Sequence, residues 1–92
     1  MCGIIGSTKY PIDRITLNDI AHRGPNSKGL HVDNNISLGH TRLSIIDLSS
    51  GQQPMVSSDG QKVLVFNGEI YNYLKLKKDL DCSFETSSDT EV

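Results

Sequence analysis

Turn-forming residues cut this chain into short pieces. Pro11, Gly24-Pro25, Asp33-Asn34-Asn35, Ser49-Ser50-Gly51, Ser58-Asp59-Gly60 and Asn67-Gly68 each interrupt regular structure, because Gly, Asn and Asp accept turn conformations and Pro removes a backbone donor. Between them the pattern predicts a buried strand over Cys2 to Ser7. Ile12, Ile15, Leu17 and Ile20 then recur near helical spacing up to Ala21, and a loop follows at His22-Arg23-Gly24-Pro25-Asn26. Leu30 to Val32 and Ile36 to Leu38 read as a hairpin of short strands about Asp33-Asn34-Asn35. After the apolar run Leu43 to Leu48, a second hairpin joins Met55-Val56 to the strongest strand pattern in the chain, Lys62 to Phe66. Ile70, Tyr73, Leu74, Lys77 and Leu80 share a helical face, with Lys75, Lys77 and Lys78 near the end where cations suit the helix dipole. A short strand is expected around Phe84. Ser88-Asp89-Thr90-Glu91 reads as a capping box that begins a helix just before Val92, which predicts that the chain is cut from a longer one.

At 92 residues the chain holds one domain or part of one, and a chain this small buries only roughly two-thirds of its unfolded surface. With 36 % hydrophobic and 22 % charged residues it does not read as a disordered tail. Nine Lys and Arg against eleven Asp and Glu give a net charge of -2, which disfavours nucleic acid and lipid surfaces as partners. No apolar run nears the roughly 18 residues of a membrane span. The first residues lack the basic leader and long apolar segment of a secretory signal. Cys2 and Cys82 give no disulfide framework, so reduced thiols and a cytoplasmic location are expected.

Cys2 is the sharpest chemical feature. Removal of Met1 would give it a free α-amine beside its own thiol, and the two groups ordinarily titrate within about 1 pH unit of each other. Nucleophile and base then share one residue. Asn67-Gly68, after the Val63-Leu64-Val65-Phe66 strand, offers a side-chain amide and a glycine N–H as donors for a developing oxyanion. Arg42 and Asp89 suit the two ends of an amino-acid zwitterion, a guanidinium for the α-carboxylate and a carboxylate for the α-ammonium. His22, His31 and His40 lack metal-ligand spacing, so no metal site is expected and structural or solvent-facing roles are assigned to them. Tyr71 and Tyr73 read as packing residues.

Six motifs, in order from residue 1 to residue 92, resemble the class II glutamine amidotransferase domain of glutamine-hydrolysing asparagine synthetases. They are Met1-Cys2-Gly3-Ile4, Ala21-His22-Arg23-Gly24-Pro25, Leu38-Gly39-His40 with Arg42-Leu43-Ser44-Ile45-Ile46-Asp47, Gly51-Gln52-Gln53-Pro54-Met55, Phe66-Asn67-Gly68-Glu69-Ile70-Tyr71-Asn72, and Ser88-Asp89-Thr90-Glu91. Two positions depart from the family pattern: Thr41 stands where Arg is common, and Asn26 where Asp is common.

The resemblance implies an α+β fold, the αββα four-layer sandwich of N-terminal nucleophile hydrolases, with residues 1–92 as its first half. It implies hydrolysis of glutamine to glutamate and ammonia. Cys2 matches the nucleophile that forms a γ-glutamyl thioester, and Asn67 and Gly68 match the oxyanion hole. Arg42 matches the residue holding the substrate carboxylate, Leu43 and Ile45 match backbone contacts, and Glu69 and Asp89 match residues near the α-amino group. Cys2 is further expected on a strand adjacent to Lys62 to Phe66. No cofactor is implied for this domain; ATP and magnesium belong to a synthetase domain absent from these 92 residues, which would receive the ammonia. A homodimer of the full-length enzyme is an assembly consistent with the resemblance. The short chain alone is expected to be inactive, because Met1 would hold the Cys2 amine as an amide and Asp89 would sit at an unsupported terminus. The alternative is a non-catalytic binding or interaction module that reuses the fold.

Overall fold

The computed structural model describes residues 2–43 and 51–92. Among these described residues, five short strands, one α-helix and two 3-10 helices make up an α+β arrangement. Strand β1 (Gly3–Ser7) forms one residue later than the expected start at Cys2, and as an edge strand it buries only Gly3 and leaves Ile4 exposed, where a buried strand was expected. A 3-10 helix over Thr16–Arg23 follows. The Asp13 carboxylate starts it by accepting from both the backbone N–H and the hydroxyl of Thr16, each at 2.8 Å. Helical structure therefore extends through His22 and Arg23, where a loop was expected.

Strands β2 (Ser27–Val32) and β3 (Ser37–Arg42) form the first hairpin. Its turn is held by Asp33, whose Oδ1 accepts from the N–H groups of Asn35 and Ile36 at 2.8 and 2.9 Å. At six residues each, the two strands are longer than the apolar pattern predicts. Backbone pairing carries them through polar and glycine positions, because β3 is bonded on both sides. Its antiparallel neighbours are β1 and β2, in the order β1-β3-β2.

The second hairpin pairs β4 (Met55–Val56) with β5 (Val63–Leu64). Its ladder stops at Met55↔Leu64. One step further the register would set Pro54 against Val65, and Pro54 has no N–H to give. The Lys62 to Phe66 segment therefore makes only a two-residue strand. Helix α1 (Tyr73–Asp79) ends with Lys77 and Lys78 in its last turn. No strand forms at Phe84; the N–H groups of Glu85 and Thr86 are taken by the Glu91 carboxylate at 2.7 and 2.6 Å instead. Ser88 caps the short 3-10 helix Asp89–Glu91 by accepting from the Thr90 N–H at 3.1 Å. Glu91 thus supplies the acidic end of the expected capping box but reaches back to residues 85 and 86. Of the apolar run Leu43 to Leu48, only Leu43 lies within the described residues.

Among the described residues, Leu17 and Ile12 are the buried hydrophobic side chains, and Ser37, His40, Thr41 and Thr90 are the buried polar ones. Leu17 packs from the first 3-10 helix against Gly39 of β3, where a Cβ would lie 2.5 Å from Leu17 Cδ2. The fully buried Thr41 donates from its hydroxyl to the Ile20 carbonyl at 3.0 Å, tying the same helix to the same strand. Leu17→Ala should therefore cost about 2 to 5 kcal/mol of stability, whereas Ile15→Ala, at 75 % exposure, should change it by no more than about 0.5 kcal/mol. Urea denaturation of the two variants checks this, and equal effects would remove Leu17 from the core.

Candidate active site

The register of the three-stranded sheet assembles the site. Gly3 pairs with Thr41 and Ser27 with Arg42, so Cys2, one residue before Gly3, stands level with Arg42 at the same end of the sheet. The Cys2 thiol lies 3.8 Å from the Leu43 carbonyl, and the Cys2 carbonyl accepts from Arg23 Nε at 3.1 Å. Arg23, at the end of the first 3-10 helix, thereby anchors the start of the chain. The expected neighbour of the Cys2 segment, Lys62 to Phe66, is not its partner: β1 pairs with β3, while β5 pairs with β4. An edge strand needs an unpaired neighbour, and β3 offers one, whereas the Val65 and Phe66 positions lose theirs at Pro54.

Beside Cys2 opens a cleft of about 500 Å³. Its walls bring together residues from across the chain: Cys2, His40, Arg42 and Leu43 from the sheet, Gly68 and Glu69 after β5, and Asp89 from the C-terminal turn. Asn67 is half-buried and is not among the residues lining the cleft, although its neighbours Phe66 and Gly68 both are. Ile45 lies outside the described residues. The Phe66 ring folds back over Gly68, where a Cβ would meet ring carbon Cζ at 2.8 Å, so the close approach selects glycine. Asp89 is held in place by its own hydrogen bonding, since its Oδ2 accepts from the Ile70 N–H at 2.8 Å. That bond joins the segment after Gly68 to the C-terminal turn.

His40 is buried on the wall, 1 % exposed, and among the described residues its Nε2 has no hydrogen-bond partner. Burial pushes its pKa below the ordinary 6.5 against an opposing hydrogen bond with the Phe66 backbone, and the Arg42 cation nearby pushes it further down. His40 is thus a buried residue of the cleft wall and not a solvent-facing one, whereas His22 is exposed and His31 faces Asp33 at 3.5 Å on the surface. Tyr71 and Tyr73 both line the cleft, and Tyr71 is 90 % exposed; packing does not explain Tyr71, and its place on the rim does. Cys82 is an exposed free thiol. Among the described residues no three His, Cys, Asp or Glu side chains group to hold a metal ion, and no helix is long and apolar enough to cross a membrane.

Two wall residues escape a reading of residue types alone. Gln53 and Thr90 both line the cleft, and Gln53 hydrogen-bonds the Phe66 backbone and the Thr90 hydroxyl. The signal for Gln53 is its position just before Pro54, where a strand ladder must stop.

A family model described as "Glutamine amidotransferase domain" matches residues 1–92. The chain belongs to this family. Similar relatives include "Asparagine synthetase [glutamine-hydrolyzing] 1" of Bacillus subtilis (strain 168), 40 % identical over all of the chain and 17 % of the relative. "Asparagine synthetase [glutamine-hydrolyzing] 2" of the same organism is 47 % identical over all of the chain and 14 % of its own length. "Asparagine synthetase B [glutamine-hydrolyzing]" of Escherichia coli (strain K12) is 37 % identical over all of the chain and 18 % of its own length. This amidotransferase-family chain thus spans less than a fifth of each of these three relatives.

The His40 shift fixes a pH dependence. The folded state binds the His40 proton more weakly than the unfolded chain does, so this contribution to stability is intact above the ordinary 6.5 and is lost as the pH falls from 6.5 toward the lowered value. The melting temperature should fall as the pH drops below about 6.5, and His40→Asn should flatten that fall. Thermal melts across this window check it; an equal fall in the variant would assign the effect to other groups.

Proposed function

We propose that this chain is the N-terminal part of a glutaminase domain that hydrolyses glutamine to glutamate and ammonia, with the ammonia used by an asparagine synthetase-type ATP-dependent domain. One observation carries the reading: Cys2, Arg42, Gly68 and Asp89, far apart in sequence, line one cleft. No observation favours the non-catalytic alternative.

In this reading the Cys2 thiol gives its proton to the α-amine freed by removal of Met1, and the sulfur attacks the side-chain amide carbon of glutamine. A C–S bond forms and the carbonyl becomes an oxyanion, which accepts hydrogen bonds from the Asn67 side-chain amide and the Gly68 N–H. The oxyanion collapses, the C–N bond breaks, and the leaving nitrogen takes the proton from the α-ammonium and departs as ammonia. Water, its proton passing to the same amine, then attacks the thioester, releasing glutamate and restoring the thiol. Arg42 pairs with the substrate α-carboxylate, Asp89 and Glu69 hold the α-ammonium, and the backbones of Leu43 and Ile45 line the pocket. The Leu43 carbonyl already faces the thiol at 3.8 Å.

The complete domain is assigned the four-layer αββα sandwich of N-terminal nucleophile hydrolases, to which the described strands and helices contribute. ATP and magnesium are assigned to the synthetase domain, since the glutaminase chemistry above needs neither. The enzyme is placed in the cytoplasm, and a homodimer is its proposed assembly.

In the full-length protein carrying this sequence, Arg42→Ala should raise KM for glutamine by roughly 100-fold, the scale of a lost charge-assisted pair. It should leave hydrolysis of an analogue lacking the α-carboxylate nearly unchanged. Equal losses for both substrates would remove Arg42 from that role. A diazoketone analogue of glutamine should label Cys2 covalently, and mass spectrometry finding the label elsewhere, or none in a protein with a free Cys2 amine, would overturn the nucleophile assignment.

A further inference from the structure

The ladder between β4 and β5 ends where it does for a reason that points at the site. Its register, Val56↔Val63 and Met55↔Leu64, would continue with Pro54 opposite Val65 and Gln53 opposite Phe66. Pro54 has no N–H, so the backbone ladder cannot cross that position. At the next one a side chain replaces the backbone: the Phe66 N–H donates to Gln53 Oε1 at 2.5 Å. The other end of the same amide, Gln53 Nε2, donates to Thr90 Oγ1 at 3.4 Å. Thr90 follows Asp89 and is itself buried.

Gln53 is in turn fixed from behind. A Cβ at Gly29 of β2 would lie 1.8 Å from the Gln53 carbonyl oxygen and 2.9 Å from Pro54 Cδ, so the Gln53-Pro54 backbone lies directly on the sheet. The glycine permits that approach, and the rigid sheet beneath sets where the Gln53 side chain begins.

We infer that Gln53 is a positioning residue for the glutaminase reaction, clamping the Phe66 amide so that the following Asn67 and Gly68 are aimed at the reacting carbonyl, and binding the same clamp to the Asp89-Thr90 turn. The inference rests on the glutaminase reading above. Gln53 touches no reacting atom in this account; it acts through the peptide that precedes the oxyanion donors, while Asp89 is held separately by the Ile70 N–H. A primary amide suits the task because one planar group supplies an acceptor for Phe66 and a donor for Thr90. Oxyanion donors act only when held at the position the charge will occupy, so a loosened Phe66 costs rate more than ground-state binding.

The test uses Gln53→Ala, Gln53→Glu and Thr90→Val in the full-length protein, with glutamine hydrolysis and hydrogen exchange at the Phe66 amide as readouts. Gln53→Ala should lower kcat by roughly 10- to 100-fold, the cost of misplacing a positioned group. Its KM should stay within about threefold, the mark of an interaction used in the transition state. The Phe66 amide should lose its exchange protection in that variant. Gln53→Glu keeps the acceptor for Phe66, so it should restore both Phe66 protection and most of kcat. It also keeps the test alive if the alanine variant fails to fold. Thr90→Val, which removes only the second bond, should have the smaller effect on kcat. Unchanged Phe66 protection in Gln53→Ala, or lost protection with kcat unchanged, would overturn the clamp while leaving the glutaminase reading intact. An inactive wild-type protein with a free Cys2 amine would instead overturn that reading and the inference together.

Discussion

The double pairing of β3 is the interaction on which the rest of the described structure depends. Flanked by β1 and β2, it places four buried residues in a row of six, Ser37, Gly39, His40 and Thr41. Small or polar side chains there leave little apolar area to bury, so β3 is held by its two backbone ladders and by close contact with the first 3-10 helix. The same strand delivers His40 and Arg42 to the cleft wall, and Leu43 just after it turns its carbonyl to the Cys2 thiol. A one-residue slip of β1 against β3 would turn Cys2 to the opposite face of the sheet. The site is thus a consequence of register before it is a consequence of any side-chain contact.

Side chains finish what the short ladders leave undone. Asp13 starts the first 3-10 helix, Asp33 closes the first hairpin, Asp89 takes the Ile70 N–H and Glu91 takes those of Glu85 and Thr86. Burial works to raise the Glu91 carboxyl, and its bonds from Thr86 and Glu85, with Lys77 nearby, bring it below its ordinary value. These acceptors explain how 92 residues with two buried hydrophobic side chains among those described still define loop geometry. Each backbone donor left without a strand partner would otherwise cost about 1 to 3 kcal/mol where buried. Carboxylates and the Gln53 amide satisfy them locally, and in doing so bring the segments after Leu64 and around Asp89 against the sheet.

Local sequence determined the turns, because a turn depends on a few neighbouring residues: Asp33-Asn34-Asn35 and Ser58-Asp59-Gly60 lie where their side chains and backbones can close them. It also determined the approximate place of β1, the α-helix with Lys77 and Lys78 in its last turn and the Ser88 cap, and the motif order was enough to indicate the family. The lengths of β2, β3 and β5 were not local properties. β2 and β3 run through polar residues because pairing partners lie alongside, and β5 stops early because Pro54, on the other arm of the same hairpin, stands opposite its next residue. Phe84 has strand-like neighbours but no strand, since a carboxylate six residues away takes the N–H next to it. What only the tertiary structure decided is which residues meet. Sequence supplied Cys2, Arg42, Gly68 and Asp89 as chemically suitable groups, but their convergence on one cleft, the choice of β3 as the neighbour of β1, and the placing of Gln53 between Phe66 and Thr90 required long-range register. That register is set by backbone pairing and close glycine contacts summed over distant segments, a property no short window of residue types contains.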